Sequence, residues 1–534
     1  MELSASLRRV NVQPSLALAL AVALLAFRVA YLNVPDILLD DSYISFRYAR
    51  NLTQGLGLVF NPGERVEGYT NFLWTISLAG ASLLGFQLES AAKLLAGLSA
   101  AGSLGVLYGF SRKLFEGGES GGLLAMMPVI LFAAMGSQAR HVLSGMETLF
   151  FVFWVSLAIY LYLYTNQALL AGLVFALAAM TRPEGVMYFG LTLLYGFTLE
   201  NGLGRINRQQ LNRLALMALG FSILYGAYFI WRYNYYGYLL PNTFYAKASG
   251  FSHLRLARGW EILQTLLSQW RIEIILALSL VGLIFGKKRT WFLFGGLTLA
   301  TFAYFLYVGG DFIVWFGPRF LMPMLPGMLL LTTEGVRVLT EKTTIKEPLK
   351  KAIQVGIFGV LLVISLWYSW PGRFSRLEPL AIQMHGWAEL GRWIGENTPP
   401  DTVIATDAAG LIPFHAKRYT IDMFGLTDLH IAHSTPGRFG AGIVAHEKYD
   451  PRYILDRQPD CIVSTWMDER GNAISAGLDG YTQEFDSVYK LQAVAKVREG
   501  PAQADNWIIE TSFYGPDLYQ QGYLSGIYCR ETLH

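Results

Sequence analysis

The sequence has few charged residues. Asp, Glu, Lys and Arg make up only 15% of its 534 residues, whereas a soluble globular protein carries nearer a quarter. Hydrophobic residues reach 53%, and the mean hydropathy is +0.35. The net charge of +3 gives no support for a nucleic-acid partner, because the basic residues lie in loops between apolar segments. This composition predicts a multi-span α-helical protein in contact with membrane lipids.

Cysteine and the common cofactor motifs are also scarce. Cys461 and Cys529 are the only cysteines; they form a disulfide if the tail is extracytoplasmic, and two buried free thiols are the alternative. The sequence has no P-loop or Gly-rich dinucleotide motif, and its histidines lack zinc-ligand spacing. We therefore predict no cofactor and no metal. A divalent cation held by Asp40, Asp41 and Asp311 is the less favoured alternative.

Eleven apolar segments recur along the chain. They run approximately over 16–32, 91–111, 121–136, 147–164, 168–181, 184–200, 214–231, 271–286, 290–308, 320–336 and 352–370. The apolar stretch 72–84 has about 13 residues, too few to cross a bilayer, and is interpreted as a re-entrant or interfacial helix on the outer face. If it crossed the membrane instead, the orientation of everything after it would be reversed.

The distribution of basic residues decides between these topologies. With 72–84 not crossing, all the basic clusters fall on the side of the N-terminus, as the positive-inside rule requires. These clusters are Arg8/Arg9, Arg112/Lys113, Arg205/Arg208/Arg213, Lys287/Lys288/Arg289 and Arg337/Lys342/Lys346/Lys350/Lys351. We predict about eleven transmembrane helices in the inner membrane of a bacterium, with a cytoplasmic N-terminus and the C-terminus outside.

The tail differs in composition from the rest of the chain. It is polar from about residue 372, with helical periodicity over 383–397. Short strands are predicted over 402–406, 419–423, 461–464 and 507–510. The sequence thus predicts a transmembrane domain over 1–371, with its first outer loop at 33–71, and a soluble extracytoplasmic α/β domain over 372–534.

Two adjacent carboxylates, Asp40 and Asp41, stand in the first outer loop just after the first apolar segment. Placed side by side, they should raise the pKa of at least one of them. A carboxylate of this kind suits a base that works on a substrate delivered by the bilayer. The alternative is that one of them caps the helix that follows, and one residue could do both.

Further polar residues map to the same outer face. Four cations are candidates for binding a phosphate: Arg140, Arg182, Lys247 and Arg319. Eight other residues are candidates for contacts with a sugar or an acceptor: Glu67, Tyr69, Asn71, His141, Glu147, Glu184, Asn242 and Asp311. For each residue taken singly, an interfacial anchor or a lipid headgroup contact is the ordinary alternative.

The block from Asp40 to Arg50, continued by Asn61 to Asn71, resembles the terminal β-arabinofuranosyltransferases of the mycobacterial and corynebacterial cell wall. It is also similar to the related bacterial enzyme that arabinosylates type IV pilins. The resemblance covers most of the chain and extends to five later stretches: 144–148, 181–185, 240–247, 309–323 and 421–428.

The resemblance implies a GT-C glycosyltransferase with a soluble extracytoplasmic domain. Its donor would be a polyprenyl-phosphate sugar, typically decaprenyl-phosphoryl arabinofuranose, and its acceptor a glycan or a glycoprotein. In GT-C enzymes an Asp of the first outer loop is the base. That role carries over to Asp40 or Asp41, and Asp40 is favoured because it opens the block, with Asp41 orienting the site.

The chemistry expected from the residues agrees with this reading. A polyprenyl phosphate is a good leaving group, so an enzyme needs cations for the phosphate and a base for the acceptor hydroxyl, and in-line attack inverts the anomeric centre. The rival functions are a glycan polymerase or ligase that uses lipid-diphosphate donors, a lipid-sugar transporter, and a membrane-anchored binding protein. We find no inverted repeat of the kind that transporters have.

Overall fold

The computed structural model describes residues 14–32, 38–115, 121–202, 205–248, 252–270, 272–311, 317–341, 345–367, 377–435, 446–465, 478, 482–497, 507–510 and 523–530. The predicted domain boundary at residue 371 and the beginning of the first outer loop lie outside these ranges.

The part before the tail is helical, because its long apolar runs can satisfy their backbone hydrogen bonds in lipid only within a helix. The helices, in chain order, are α1 Pro14–Leu32, α2 Asp40–Thr53, α3 Phe72–Leu83, α4 Leu88–Phe115, α5 Gly121–Ala134, α6 Gly136–Leu143, α7 Thr148–Tyr164, α8 Ala168–Thr181, α9 Gly185–Thr198, α10 Arg208–Tyr236, α11 Asn242–Ala248, α12 His253–Trp270, α13 Ile272–Phe285, α14 Thr290–Val308, α15 Leu325–Glu341 and α16 Glu347–Trp367. Each of the eleven predicted apolar segments overlaps one of them.

Four of these helices, α4, α10, α14 and α16, are long and apolar enough to cross a membrane, judged by length and composition. Two bent pairs, α5 with α6 and α12 with α13, raise that number to six among the described residues. The chain is thus a multi-pass membrane protein. The count of eleven spans and their orientation stay predictions, as does the interfacial position of α3, whose bounds match the predicted 72–84.

Glycines allow two pairs of helices to pack with their backbones in contact. A Cβ added to Gly172 on α8 would lie 2.0 Å from the carbonyl oxygen of Met217 on α10, and one added to Gly220 would lie 2.2 Å from a carbonyl oxygen of α8. Gly282 on α13 and Gly335 on α15 face each other's helix in the same way. Small residues at such crossings are the usual means of packing helices within a membrane.

The tail forms a mixed six-stranded sheet covered by short helices. Its elements are α17 Leu377–Asn397, β1 Val403–Thr406, α18 Leu411–Ala416, β2 Tyr419–Asp422, α19 Leu429–His433, α20 Pro451–Asp456, β3 Cys461–Ser464, α21 Thr482–Val488, β4 Tyr489–Val497, β5 Trp507–Glu510 and β6 Tyr523–Arg530. The strand order is β2-β1-β3-β6-β4-β5. The first three strands are parallel, and the other neighbours are antiparallel.

The four strands predicted in the tail are present at the predicted places, but β4 and β6 were missed. β4 carries Lys490, Gln492 and Lys496 together with three alanine or leucine residues, and β6 contains Gly526. Lysine, alanine and glycine are depleted in strands, so these two segments lack a clear local signal. Both strands are held by their neighbours in the sheet: β4 pairs with β5 and β6, and β6 also pairs with β3.

A disulfide joins Cys461 on β3 to Cys529 on β6. The two residues are register partners in the sheet, and both are fully buried. The structure therefore decides against the alternative of two free thiols. Disulfides persist in oxidising compartments, which favours the predicted extracytoplasmic side of the tail.

The tail has a core of its own but shares a second one with the helical part. Ile421, Ile462 and Val494 belong to a cluster made by the sheet and its short helices. Met384 and Leu411, on α17 and α18, instead join the cluster formed by α2, α3 and α4. The tail is therefore not fully independent of the helical part, because α17 and α18 bury apolar side chains in a cluster that α2, α3 and α4 complete.

Candidate active site

The two adjacent carboxylates lie in the first turn of α2 and face different surroundings. The residue that caps α2 is Leu39, and no side chain caps this helix. Asp40 instead accepts hydrogen bonds from the backbone N–H groups of Gly410 (3.1 Å) and Leu411 (2.7 Å), at the start of α18. The alternative that Asp40 or Asp41 caps the helix that follows is therefore wrong; Asp40 binds the start of a helix in the tail instead.

Asp41 lies next to cations. Its Oδ2 is 3.2 Å from Arg319 Nη1, and Arg319 Nε donates to both carboxylate oxygens of Asp311, at 3.1 and 3.0 Å. The Asp41 side chain is 35% exposed, whereas that of Asp311 is 1% exposed. Burial raises the pKa of Asp41, but the charges of Lys247 and Arg319 outweigh that effect and lower it below its ordinary value. Asp41 is therefore an ionised carboxylate that a ligand can reach.

The pKa of Asp40 is raised to about 7. Burial is the main cause, and the neighbouring charges of Asp41 and Asp407 add to it, while the hydrogen bonds from Leu411 and Gly410 oppose it. The sequence led us to expect this increase from the charge of Asp41 alone. The direction agrees, but removal from water contributes more than repulsion.

This pKa predicts a pH-dependent stability. The ordinary pKa of Asp is 3.8 and that of folded Asp40 about 7, so the folded chain binds a proton that the unfolded chain has released. The resulting stabilisation is fully present below the unfolded pKa and is lost as the pH rises through about 7. We expect the thermal midpoint of the wild type to fall, relative to that of Asp40→Asn, between about pH 5 and pH 8. Parallel midpoint curves in detergent for the two proteins would contradict this assignment.

A buried polar network extends away from Arg319. Arg182 contacts Glu147 (2.6 Å) and Glu184 (2.8 Å), and the second oxygen of Glu147 accepts from Asn71 Nδ2 at 2.9 Å. The Arg182 and Arg319 guanidinium groups flank the Phe320 ring at 4.9 and 5.3 Å. Arg182 is thus held by two carboxylates, as Arg319 is by Asp311 and Asp41, and the predicted phosphate contacts of both arginines stay predictions.

Arg140 and His141 lie in α6 and are buried. The imidazole of His141 is close to the backbone of Gly317, where an added Cβ would lie 3.0 Å from its Nε2. Gly317 precedes Arg319 by two residues, so α6 is packed against the segment that carries this arginine. Both residues thus belong to the neighbourhood of the site, and their predicted roles stay predictions.

Two cavities begin in this region. One small cavity is lined by Arg182, Glu184, Tyr304 and Arg319 among others. The other small cavity has a mostly apolar lining from α4, α7, α14 and α15, including Phe110. Pro323 lines both of them, so both cavities lie beside the segment that follows Arg319.

Two of the predicted sugar contacts are enclosed in the protein. Glu67 forms a two-point ion pair with Arg232, with Oε1–Nε at 2.9 Å and Oε2–Nη2 at 2.6 Å. The Tyr69 hydroxyl lies 3.1 Å from that of Tyr236. Both residues are 4% exposed. A sugar hydroxyl would have to displace an existing partner, so the geometry favours a role in holding the loop over contact with a sugar.

Asn242, at the start of α11, also has a structural role. Its Nδ2 donates to the carbonyl oxygens of Gly425 (3.0 Å), Leu426 (3.0 Å) and Asp428 (3.1 Å) in the tail. These bonds join α11, which carries Lys247, to the loop after β2. Asn242 thus connects two parts of the chain, and its predicted contact with a sugar or an acceptor stays a prediction.

Sequence reasoning missed the residues that attach the tail to α2, namely Arg47, Arg50 and Gly410. A partial signal was available, because Asp40 and Arg47 are seven residues apart and therefore lie on one face of a helix. Their partners were not foreseeable, since they come from a distant segment. Within the described residues no group of three or more His, Cys, Asp or Glu side chains is placed to hold a metal. Asp41 and Asp311 are instead bridged by Arg319.

Comparison with known sequences gives relatives of one kind. Residues 378–523 match the model of a domain of unknown function, DUF8728. A terminal β-(1→2)-arabinofuranosyltransferase from Corynebacterium glutamicum is 28% identical over 404 residues, which are 66% of this chain and 54% of that protein. The enzyme of the same name from Mycobacterium tuberculosis is 30% identical over 224 residues, 39% of this chain and 34% of that protein. The chain thus matches about half or less of the length of these relatives.

Solved structures resemble this fold over nearly the whole length of this chain, at low sequence identity. ArnT from Cupriavidus metallidurans bound to undecaprenyl phosphate has a TM-score of 0.52 and 13% identity, covering 96% of this chain and 97% of that one. The arabinofuranosyltransferase AftD from Mycobacteria has the same TM-score and identity, covering 96% of this chain and 40% of that one. The chain therefore has the fold of the GT-C membrane glycosyltransferases and resembles in sequence the terminal β-(1→2)-arabinofuranosyltransferases.

Proposed function

We propose that this chain is an inverting glycosyltransferase. It moves a sugar, D-arabinofuranose, from a polyprenyl-phosphate donor to a hydroxyl group of a glycan or glycoprotein acceptor on the outer face of the membrane. The observation that supports the proposal is that the carboxylate of Asp41 is partly exposed to solvent and lies beside Arg319 and Lys247. The names of the relatives support the type of reaction and the sugar, and the undecaprenyl phosphate bound to ArnT supports the class of donor.

The donor phosphate binds between Arg319 and Lys247. A phosphate there forms charge-assisted hydrogen bonds of the strongest ordinary kind. Asp311, Glu147 and Glu184 hold the cations in position, while Arg140 and Arg182 add positive charge around the phosphate. No metal is required, since the cations themselves can neutralise the leaving group.

Asp41 is the base in this proposal. The acceptor oxygen attacks the anomeric carbon while its proton passes to Asp41, and the bond from that carbon to the phosphate oxygen breaks with its electron pair on the phosphate. Phosphate binding draws Arg319 and Lys247 away from Asp41, so its lowered pKa rises as the donor arrives and the carboxylate becomes a better proton acceptor. The resting ion pair keeps it deprotonated until then.

The sequence favoured Asp40 for this role, and the geometry favours Asp41. Both oxygens of Asp40 accept backbone N–H groups of the tail, and the backbone of Gly410 lies against this residue. A Cβ at Gly410 would be 1.9 Å from the carbonyl oxygen of Asp40. An acceptor hydroxyl therefore has a clearer approach to Asp41.

The test is a transfer assay with the purified chain in detergent. Decaprenyl-phosphoryl arabinofuranose and a synthetic arabinan acceptor should give a product that mass spectrometry shows to be heavier than the acceptor by one or more pentoses. NMR spectra should show that the anomeric configuration of the donor is inverted in this product. Boiled protein and the donor without acceptor are the controls. Transfer of a whole glycan from a lipid diphosphate, with none from the monophosphate donor, would identify a polymerase or ligase. Movement of the donor across a vesicle membrane without transfer would identify a transporter.

A further inference from the structure

Helix α18 of the tail is held at both ends by side chains of α2. Asp40 accepts from the amide groups at its N-terminal end. Arg47 Nη1 donates to the carbonyl oxygen of Pro413 at 2.7 Å, and Arg50 Nη1 donates to that of Phe414 at 2.7 Å. An acid at the start of α18 and two cations on its last carbonyl groups match the direction of the helix dipole. The two helices therefore fit in one relative position.

Arg47 strengthens this attachment with bonds to both parts of the chain. Its Nε and Nη2 donate to Phe60 O (2.8 Å) and Asn61 Oδ1 (3.0 Å) in the first outer loop, and Nη2 also donates to Arg418 O (2.8 Å) in the tail. The residue is 3% exposed, and every one of these partners is a neutral oxygen. Holding a buried guanidinium in this way is costly unless its donors are satisfied, and only the docked tail completes the set.

A second contact reaches the other side of the site. Asn242, which binds the loop 425–428, begins the short helix α11, and Lys247 lies five residues later on that helix. Gly68 adjoins the same loop, where an added Cβ would lie 2.5 Å from the Thr427 side chain. The tail is thus bonded next to Asp41 through Asp40 and next to Lys247 through Asn242.

We propose that docking of the tail on α2 assembles the active site, with Asp40, Arg47 and Arg50 as positioning residues that hold Asp41 in place. Asp40 and Asp41 share the first turn of α2, so a shift of α18 moves the carboxylate that accepts the proton. The tail then acts on the rate of the reaction as well as on any binding of the acceptor. The role of Asp41 rests on the proposed function, whereas the docking itself does not.

The experiment perturbs the contact between Asp40 and α18 by a substitution in the tail. Gly410→Ala places a Cβ against the Asp40 backbone without changing any charged group. The matched control is Gly359→Ala on α16, where an added Cβ meets nothing within 4 Å. Asp40→Asn is the second variant, since it keeps one acceptor oxygen and the size of the side chain. All proteins are full-length chains in detergent, followed by hydrogen–deuterium exchange and by steady-state transfer kinetics with a soluble short acceptor.

We expect the amide groups of 408–416 and of 40–44 to exchange roughly tenfold faster in Gly410→Ala than in the wild type or Gly359→Ala. We also expect kcat to fall by about 10²-fold, the effect of a misplacement of about 1 Å, with the KM for the acceptor little changed. Asp40→Asn should also speed the exchange of these amide groups and lower kcat, each by a smaller factor.

Three outcomes would overturn the proposal. Unchanged exchange over 408–416 in both variants would mean that α18 is not docked through Asp40. Faster exchange there without any change over 40–44 would mean that docking does not position Asp41. A raised KM for the acceptor with kcat unchanged would mean that the tail affects only acceptor binding. If the wild type transfers no sugar, the proposed function fails, while the exchange measurements still decide whether the tail is docked and whether it orders the first turn of α2.

Discussion

Asp41→Asn should lower the rate of sugar transfer by about 10²–10⁴-fold, the usual contribution of a general base. Asparagine has nearly the same shape and keeps an oxygen for Arg319, but it cannot take the proton of the acceptor. The donor should still bind, because Arg319 and Lys247 remain and lose a competing negative charge. The measurements are kcat with saturating donor and the equilibrium binding of a polyprenyl phosphate.

Two comparisons make this result specific. Asp456→Asn changes an exposed carboxylate of the tail, whose side chain is 57% exposed, and should leave kcat unchanged. Asp40→Asn should cost less than Asp41→Asn, because it removes a positioning contact and not the base. If Asp40→Asn caused the larger loss and Asp41→Asn remained active, the roles of the two residues would be reversed, as the sequence had led us to expect.

Arg47→Met should destabilise the protein by about 3 kcal/mol or more. The substitution removes the hydrogen bonds from Arg47 to the carbonyl oxygens of Phe60, Pro413 and Arg418. Each of these oxygens keeps one other donor, so the cost is that of lost hydrogen bonds to a charged group, about 1.5–3 kcal/mol each. Removal of a buried cation offsets part of this cost, and methionine fills much of the space. The expected result is a thermal midpoint in detergent that is lower by several degrees, with early loss of protection from proteolysis in the tail.

The control for this variant is Arg392→Met on α17. Arg392 is 44% exposed and pairs with Glu389 on the same helix, and exposed pairs of this kind contribute about 0–1 kcal/mol. Arg47→Lys should lie between the wild type and Arg47→Met, because an ammonium group cannot reproduce the fork of the guanidinium. Equal midpoints for Arg47→Met and Arg392→Met would show that the contacts of Arg47 contribute little to stability.

Local sequence patterns predicted most of the helices and strands. The apolar segments predicted the helices because backbone groups in lipid must be satisfied within their own segment, so the length and composition of each run are sufficient. The short stretch 72–84 was recognised on the same grounds and appears as α3 Phe72–Leu83. Strands β4 and β6 were missed, because they depend on partners elsewhere in the sheet and not on their own composition.

The sequence by itself determined that this is a polytopic helical membrane protein, that a polar α/β tail follows, and that adjacent carboxylates mark the candidate site. These properties depend on neighbours along the chain. Only the tertiary structure decided what each carboxylate contacts, because Asp40 binds the backbone N–H groups of Gly410 and Leu411, some 370 residues away, whereas Asp41 lies beside Arg319. It also decided that Glu67 is paired with Arg232, 165 residues away. The accessibility of a charged group depends on what packs around it, and the sequence does not specify such distant contacts locally.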